Sequence, residues 1–283
     1  MEKYSGKRVV ITGAGSGVGR AMALQFAEMG WRIGLADINA AGAEKSLEMV
    51  KQAGGTGEVY PVDVTDHRSV KEMADHFFNA WGGVDILVNN AGIAVAGHIG
   101  NVSLERWEKV VDVNFFGMLY GCHAFMPKMK AQGGGHILNV ASAAGFLSLA
   151  SMGPYNVSKA AVISLSETLR VEAAPYNVGV TVACPTFFKT GLLDDAISDE
   201  PWILELAETA FREGHPADKI AQKIIRSVFN NKLYCVPMFF GKLLWLHKRL
   251  TPNFYYDLPA WLNKRGWMEP LYSMLARRGI LSR

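Results

Sequence analysis

Cysteine is scarce: Cys122, Cys184 and Cys235 are the only three in 283 residues. They are too few and too scattered for a disulfide framework or a cysteine metal site. Long hydrophobic runs are also missing. No window approaches the roughly 18 uninterrupted apolar residues of a membrane-spanning helix. The stretch from Met1 to Gly13 has no long apolar core with a small-residue cleavage site, so it does not read as a signal peptide. Together these point to a reducing, cytoplasmic setting. The net charge is only +3, too small by itself to imply a nucleic-acid partner. The 29 glycines do not recur at every third residue, which excludes collagen. None of the histidines has a spacing that suggests a metal, and His98, His123 and His136 read as structural.

What is present is a globular balance, 49% hydrophobic and 19% charged. Short apolar runs alternate with stretches of helical length. The strand candidates are Arg8–Thr12, Arg32–Ala36, Thr56–Pro61, Val84–Val88, His136–Val140, Gly179–Ala183 and Leu233–Val236. They are rich in Val, Ile and Leu without polar alternation, as in strands covered on both faces. Helical stretches such as Val18–Met29, Ala40–Ala53 and Arg68–Trp81 separate them, with Gly30 and Gly54 as stops. This order predicts an α/β fold: a doubly wound, mostly parallel seven-stranded sheet. Such sheets bind ligands beyond the carboxyl ends of their strands.

The first strand runs into Gly13-Ala-Gly-Ser-Gly-Val-Gly19 and then a helix. A glycine loop between strand and helix suits a pyrophosphate, because backbone N–H groups and the helix N-terminus meet its charge. No Gly-Lys-Ser/Thr follows, so this is not a P-loop. Asp37 ends the second strand 18 residues beyond Gly19, where an acid accepts ribose hydroxyls. A 2′-phosphate would meet like charge there, with no Lys or Arg at Ser16, Ile38 or Asn39 to offset it. This favours NAD over NADP.

The spacing Thr12-Gly-x-x-x-Gly-x-Gly19 resembles the short-chain dehydrogenase/reductase family, and further motifs of that family follow in order. They are Asp63-Val64, Asn89-Asn90-Ala91-Gly92, Asn114 in the long helix after the fourth strand, Ser142, Tyr155-Asn-Val-Ser-Lys159 and Cys184-Pro185-Thr-Phe-Phe-Lys-Thr190. The resemblance spans about residues 6–237. It implies that Gly13, Ser16, Gly17, Val18, Gly19, Asp37, Asp63, Val64, Asn90, Ala91, Gly92, Pro185 and Thr190 hold the cofactor, together with Tyr155 and Lys159. It implies that Asn114, Ser142, Tyr155 and Lys159 are catalytic, with Lys159 also on the nicotinamide ribose and Asn114 anchoring a relay water. One departure is Thr186, where the family usually has glycine.

From physics alone, Tyr155 and Lys159 are spaced i,i+4 and share a helix face. The ammonium is expected to lower the phenol pKa, making Tyr155 an acid/base and leaving Ser142 to orient the substrate oxygen. Two other classes stay open: a nucleotide sensor without turnover, and a reductase of a C=N or C=C bond. An apolar segment at about 187–215 (Phe187, Phe188, Leu192, Leu193, Trp202, Ile203, Leu206, Phe211) reads as a substrate lid. Ile93, Ala94, Phe146, Leu147, Leu149 and Met152 read as pocket lining. The implied substrate is a small apolar alcohol or carbonyl compound. The same groups could equally pack the core or a subunit interface. The family implies a homodimer or homotetramer.

After the catalytic domain, 1–237, the composition changes. Residues 238–283 hold eight Lys/Arg against Asp257 and Glu269, a net +6, and nine aromatics. Three readings compete for this extension: packing on its own domain or a sister subunit, peripheral membrane contact, and nucleic-acid binding. The last has no recognisable module behind it.

Overall fold

The computed structural model describes residues 4–189 and 201–282. Its centre is a seven-stranded parallel sheet in the order β3-β2-β1-β4-β5-β6-β7. The strands are β1 (Arg8–Thr12), β2 (Arg32–Asp37), β3 (Thr56–Pro61), β4 (Ile86–Asn89), β5 (Gly135–Val140), β6 (Val178–Ala183) and β7 (Tyr234–Cys235). Each sequence-based strand appears, with ends shifted by a residue or two.

Helices α1 (Gly17–Glu28), α2 (Ala40–Gln52) and α3 (His67–Trp81) link the first strands, and Gly30 and Gly54 take positive φ just beyond α1 and α2. Asn39 caps α2 by accepting from the Gly42 N–H at 3.0 Å, and Asp66 caps α3 through Arg68 at 2.9 Å. After β4 come α4 (Leu104–Val111), a π-helical turn (Asp112–Phe116) and α5 (Gly117–Ala131). After β5 come α6 (Ala144–Leu147) and α7 (Gly153–Ala173). The chain continues through α8 (Pro201–Arg212) and α9 (Ala217–Phe229), then β7, α10 (Phe239–Leu250), α11 (Pro252–Lys264) and α12 (Met268–Arg277).

The absence of polar alternation in the strands has the expected cause. In β1, Val9 and Ile11 enter the core shared with α1 and α9, while Val10 enters the opposite core with Phe77 of α3 and Phe125 of α5. The strand order reverses between β1 and β4, where the chain connections run to opposite sides and leave a crevice at the strand ends.

Buried amides join the layers on the α5–α7 side. Asn89 donates to Asn139 Oδ1 at 2.9 Å and to Met118 O at 3.3 Å, and Asn139 donates to Ser166 Oγ at 2.9 Å. Ser166 in turn donates to Val162 O at 2.7 Å. These side chains are buried, so each unmade bond would carry its full desolvation cost. No helix among the described residues is long and apolar enough to cross a membrane.

Asn139→Ala removes one buried partner from both the Asn89 amide and the Ser166 hydroxyl, leaving them Met118 O and Val162 O. The expected loss is about 2–4 kcal/mol, read as a lower urea midpoint with unchanged m-value. A variant as stable as the parent would show that the amide chain carries no stability.

Candidate active site

The glycine loop is set by its neighbours in the fold. Gly13 has φ +65, and a Cβ there would lie 2.8 Å from Asn90 Nδ2 and 2.9 Å from Ala91 Cα. A Cβ on Gly19 would lie 2.2 Å from Gly13 O and 2.6 Å from Asn90 Nδ2. At 13 and 19, then, it is protein that fills the space next to the glycine, rather than room left for a phosphate. Asn90 donates to Thr12 O at 2.9 Å and Gly13 O at 3.1 Å, while Thr12 Oγ1 accepts from the N–H groups of Asn90 and Ala91. Asn90 is therefore a strut between β4 and the loop. Ser16, at the N-cap of α1, makes no side-chain cap bond to the first turn, which Gly17, Val18 and Gly19 begin. A tight loop ending on an uncapped helix start fits a dinucleotide pyrophosphate.

Asp37 is half-buried. Its Oδ2 accepts from Gly15 N at 2.7 Å and its Oδ1 from Asn39 N at 2.8 Å. A carboxylate offers about four lone-pair sites, so ribose hydroxyls still have places to donate. Arg20, which the sequence-based charge argument passed over, lies close to this corner. Its guanidinium is spent on Ser46 Oγ at 2.8 Å and on the carbonyls of Gly15 and Gly42. On the far side, Asp63 Oδ1 accepts from the N–H and hydroxyl of Thr65. Val64 lies against Gly117, where a Cβ would come within 2.9 Å of it.

The expected catalytic residues converge beyond β4, β5 and β6. Ser142 follows β5, accepts from Ala144 N at 3.2 Å, donates to Pro185 O at 3.4 Å and lies near enough to the Tyr155 phenol to favour its ionised form. Tyr155 and Lys159 lie one turn apart on α7, with Lys159 Nζ 5.7 Å from the Tyr155 ring centre and donating to Val140 O at 3.0 Å. Gly92 closes the other side: a Cβ there would lie 3.3 Å from Lys159 Nζ and 3.1 Å from Asn114 Oδ1. Thr190 falls outside the described residues, as do Leu192 and Leu193.

Asn114 sits in the π-helical turn rather than in a regular helix, fully buried. Its Oδ1 accepts from Ile93 N at 2.8 Å, and its Nδ2 donates to Ile93 O at 2.9 Å and Ser158 Oγ at 3.1 Å. Both amide hydrogens are committed, so the side chain braces the Gly92 loop against α7. Ser158, which donates on to Tyr155 O at 2.9 Å, was not singled out from sequence; its place inside the Tyr-to-Lys segment was the available signal.

The expected acidification of Tyr155 is not found. Burial pushes the phenol up to about 12, with the Ser142 hydrogen bond pulling the other way. Burial likewise brings Lys159 down to about 8. Both charged forms are disfavoured by the same apolar surroundings, and that outweighs proximity.

A model of short chain dehydrogenases matches residues 7–201. The chain belongs to the short chain dehydrogenase family. It is an oxidoreductase acting on CH–OH groups, with a nicotinamide-dinucleotide fold. Human epidermal retinol dehydrogenase 2 is 34% identical over 248 residues, 86% of this chain and 77% of the relative. A putative oxidoreductase of Mycobacterium tuberculosis, SadH, is 35% identical over 198 residues, 69% of this chain and 72% of the relative. A short chain dehydrogenase/reductase from Burkholderia phymatum, solved with NAD, superposes with a TM-score of 0.84 at 32% identity, covering 90% of this chain and 96% of that one.

The residues expected on the substrate side of this short chain dehydrogenase divide in two. Ala94 and Met152 pack with Tyr155 and Ala144, and residue 97 bridges to Met152. Phe146 and Leu147, expected in the pocket lining, instead turn to the C-terminal helices. Phe146 stacks on Trp245 at 5.3 Å, Lys248 donates to Phe146 O at 2.6 Å, and Tyr256 donates to Leu147 O at 3.4 Å. The core reading wins for these two. In the expected lid, Phe188 is buried in the main core, while Phe187 and Leu206 pack with Ala210, Tyr272 and Leu275, so α12 backs α8.

The lowered pKa of Lys159 has a stability consequence. Between about 8 and the ordinary value of 10.5 the unfolded chain holds the extra proton, so this group adds stability as pH rises through that window. The thermal midpoint of the wild type minus that of Lys159→Met should therefore increase by several degrees from about pH 7 to about pH 10. A flat difference would place the amine in water-like surroundings.

Proposed function

We propose that the chain interconverts an apolar secondary alcohol and its ketone, or a related aldehyde, using NAD(H) in preference to NADP(H). The observation carrying this reading is the juxtaposition of Ser142, the Tyr155 phenol and the Lys159 ammonium at the carboxyl ends of the strands, with Lys159 Nζ held on Val140 O one turn from the phenol. When bound, the nicotinamide supplies hydride acceptance and donation and, in its oxidised form, a positive charge.

The chain's own residues handle position and proton. Ser142 holds the substrate oxygen beside Tyr155. In the reductive direction the phenol, kept protonated by burial, gives its proton at Oη to the oxygen on which negative charge forms. In the oxidative direction it must first become a better base, and the Ser142 hydrogen bond and Lys159 ammonium favour its ionised form. Lys159 keeps donors beyond the one given to Val140 O, and these are available to ribose hydroxyls. Asn114 fixes the Gly92 loop; its committed amide leaves any water-holding to its main chain.

Ser16, Gly17 and Val18 at the uncapped start of α1 would hold the pyrophosphate, with Gly13 and Gly19 allowing the tight loop that presents them, Asp37 the adenosine ribose, Asp63 and Val64 the adenine, and Asn90, Ala91, Gly92, Pro185 and Thr190 the nicotinamide half. Asp37 supports NAD, since it repels a 2′-phosphate and Arg20 is already engaged. Ala94 and Met152 beside Tyr155 support an apolar substrate. A homodimer or homotetramer is supported by the exposed Val157 and Val171 on α7.

Cofactor fluorescence tests the first half: NADH should bind about tenfold or more tightly than NADPH, and Asp37→Ala should shrink that gap. A panel of apolar ketones and alcohols tests the second. Tyr155→Phe should keep NADH binding and lose about 10²–10⁴ in kcat. Turnover restricted to small charged hydroxy acids would remove the substrate assignment. Biological effects that survive Tyr155→Phe intact would favour a sensor.

A further inference from the structure

More than half of the large exposed apolar side chains among the described residues lie between Phe239 and Met274. Phe239, Leu243, Leu246 and Leu250 on α10, Phe254, Leu258 and Trp261 on α11, and Trp267 just before α12 are 41–75% exposed. The first four are spaced i, i+4, i+7, i+11, which places them on one narrow stripe of a helix. Phe254, Leu258 and Trp261 repeat the i, i+4, i+7 spacing on the next helix.

The inner face of α10 already has its partner. Trp245 stacks on Phe146, Leu244 joins the core that contains Val162 and Val236, and Gly241 sits where a Cβ would come within 2.8 Å of Thr186. The outer stripe is therefore additional to what the domain can cover.

Its edges are cationic. Lys242 and Arg249 project to one side of the α10 stripe, and the Arg249 guanidinium lies 5.2 Å from the Trp245 ring centre. The Arg265 guanidinium lies 3.9 Å from the ring centre of Trp261 and 6.0 Å from that of Trp267, so a cation and two indoles share one spot. The whole segment carries a net +6.

We propose that the outer face of α10 and α11 docks on an anionic lipid bilayer. Apolar stripes enter below the headgroups, indoles sit at headgroup depth, and Lys and Arg meet anionic lipid. With no described helix able to cross a membrane, the helices lie along its surface. A second copy of the chain is a poorer occupant, because a two-fold contact through this face would bring Lys242, Arg249 and Arg265 of both copies together. A nucleic acid would leave the leucines facing phosphate.

The test is co-sedimentation of the full chain with large vesicles of phosphatidylcholine, alone or mixed with phosphatidylserine. At about 0.1 M salt, binding to the mixed vesicles should be about tenfold or more stronger, falling as salt is raised. Leu243→Glu/Leu246→Glu should remain in the supernatant. Lys242→Glu/Arg249→Glu should lose the preference for phosphatidylserine while keeping its thermal midpoint. Vesicle binding needs no turnover, so the result is independent of the proposed reaction. Wild-type protein in the supernatant with both vesicle types overturns the proposal, as does unchanged pelleting of both variants. An oligomer that dissociates in Leu243→Glu/Leu246→Glu, without lipid binding by the wild type, assigns the face to a second copy instead.

Discussion

A buried ammonium governs this site. Lys159 is 3% exposed, and a cation taken out of water must be hydrogen-bonded or lose its proton. The structure does some of each: Val140 O accepts from Nζ, and the pKa drops to about 8. Holding Nζ there requires close approach on two sides. Gly92 leaves room beside it, and Gly145, where a Cβ would lie 2.6 Å from the Lys159 carbonyl carbon, lets α6 press on α7. The glycines around Lys159 therefore belong to the same arrangement as the charge.

The rest of the scaffold keeps that arrangement stiff with amides. Asn90 ties the glycine loop to β4, Asn114 ties the Gly92 loop to α7 through Ser158, and Asn89 with Asn139 ties β4 and β5 to α7 through Ser166. Apolar packing is strong but weakly directional, whereas a satisfied buried amide has one geometry. The C-terminal helices add a last brace. Lys248 and Tyr256 hold the carbonyls of Phe146 and Leu147, in the segment linking Ser142 to Tyr155.

Much of this was legible from the chain itself. Strand positions followed from runs of Val, Ile and Leu, since a strand buried on both faces needs no polar position. The order of glycine loop, Asn-Ala-Gly and Tyr-x-x-x-Lys marked which strand ends these groups follow. Asn139 was a visible clue, an amide within Gly135–Val140, yet its partners lie on other elements and no local pattern points to them. The π-helical turn at Asp112–Phe116 was not legible either, because no residue type marks where one extra residue enters a turn.

Residue types and their spacing along the chain determined the α/β layering, the family and which side chains share a helix face, because these depend on local periodicity. Tertiary structure alone decided how those groups behave. Spacing says that an ammonium stands one turn from a phenol. It does not say how much water surrounds them, and desolvation is what sends the Tyr155 pKa upward and the Lys159 pKa downward. Likewise, the basic and aromatic character of residues 238–283 was plain in the chain, but only packing separates the face of α10 that covers Phe146 from the face that meets solvent.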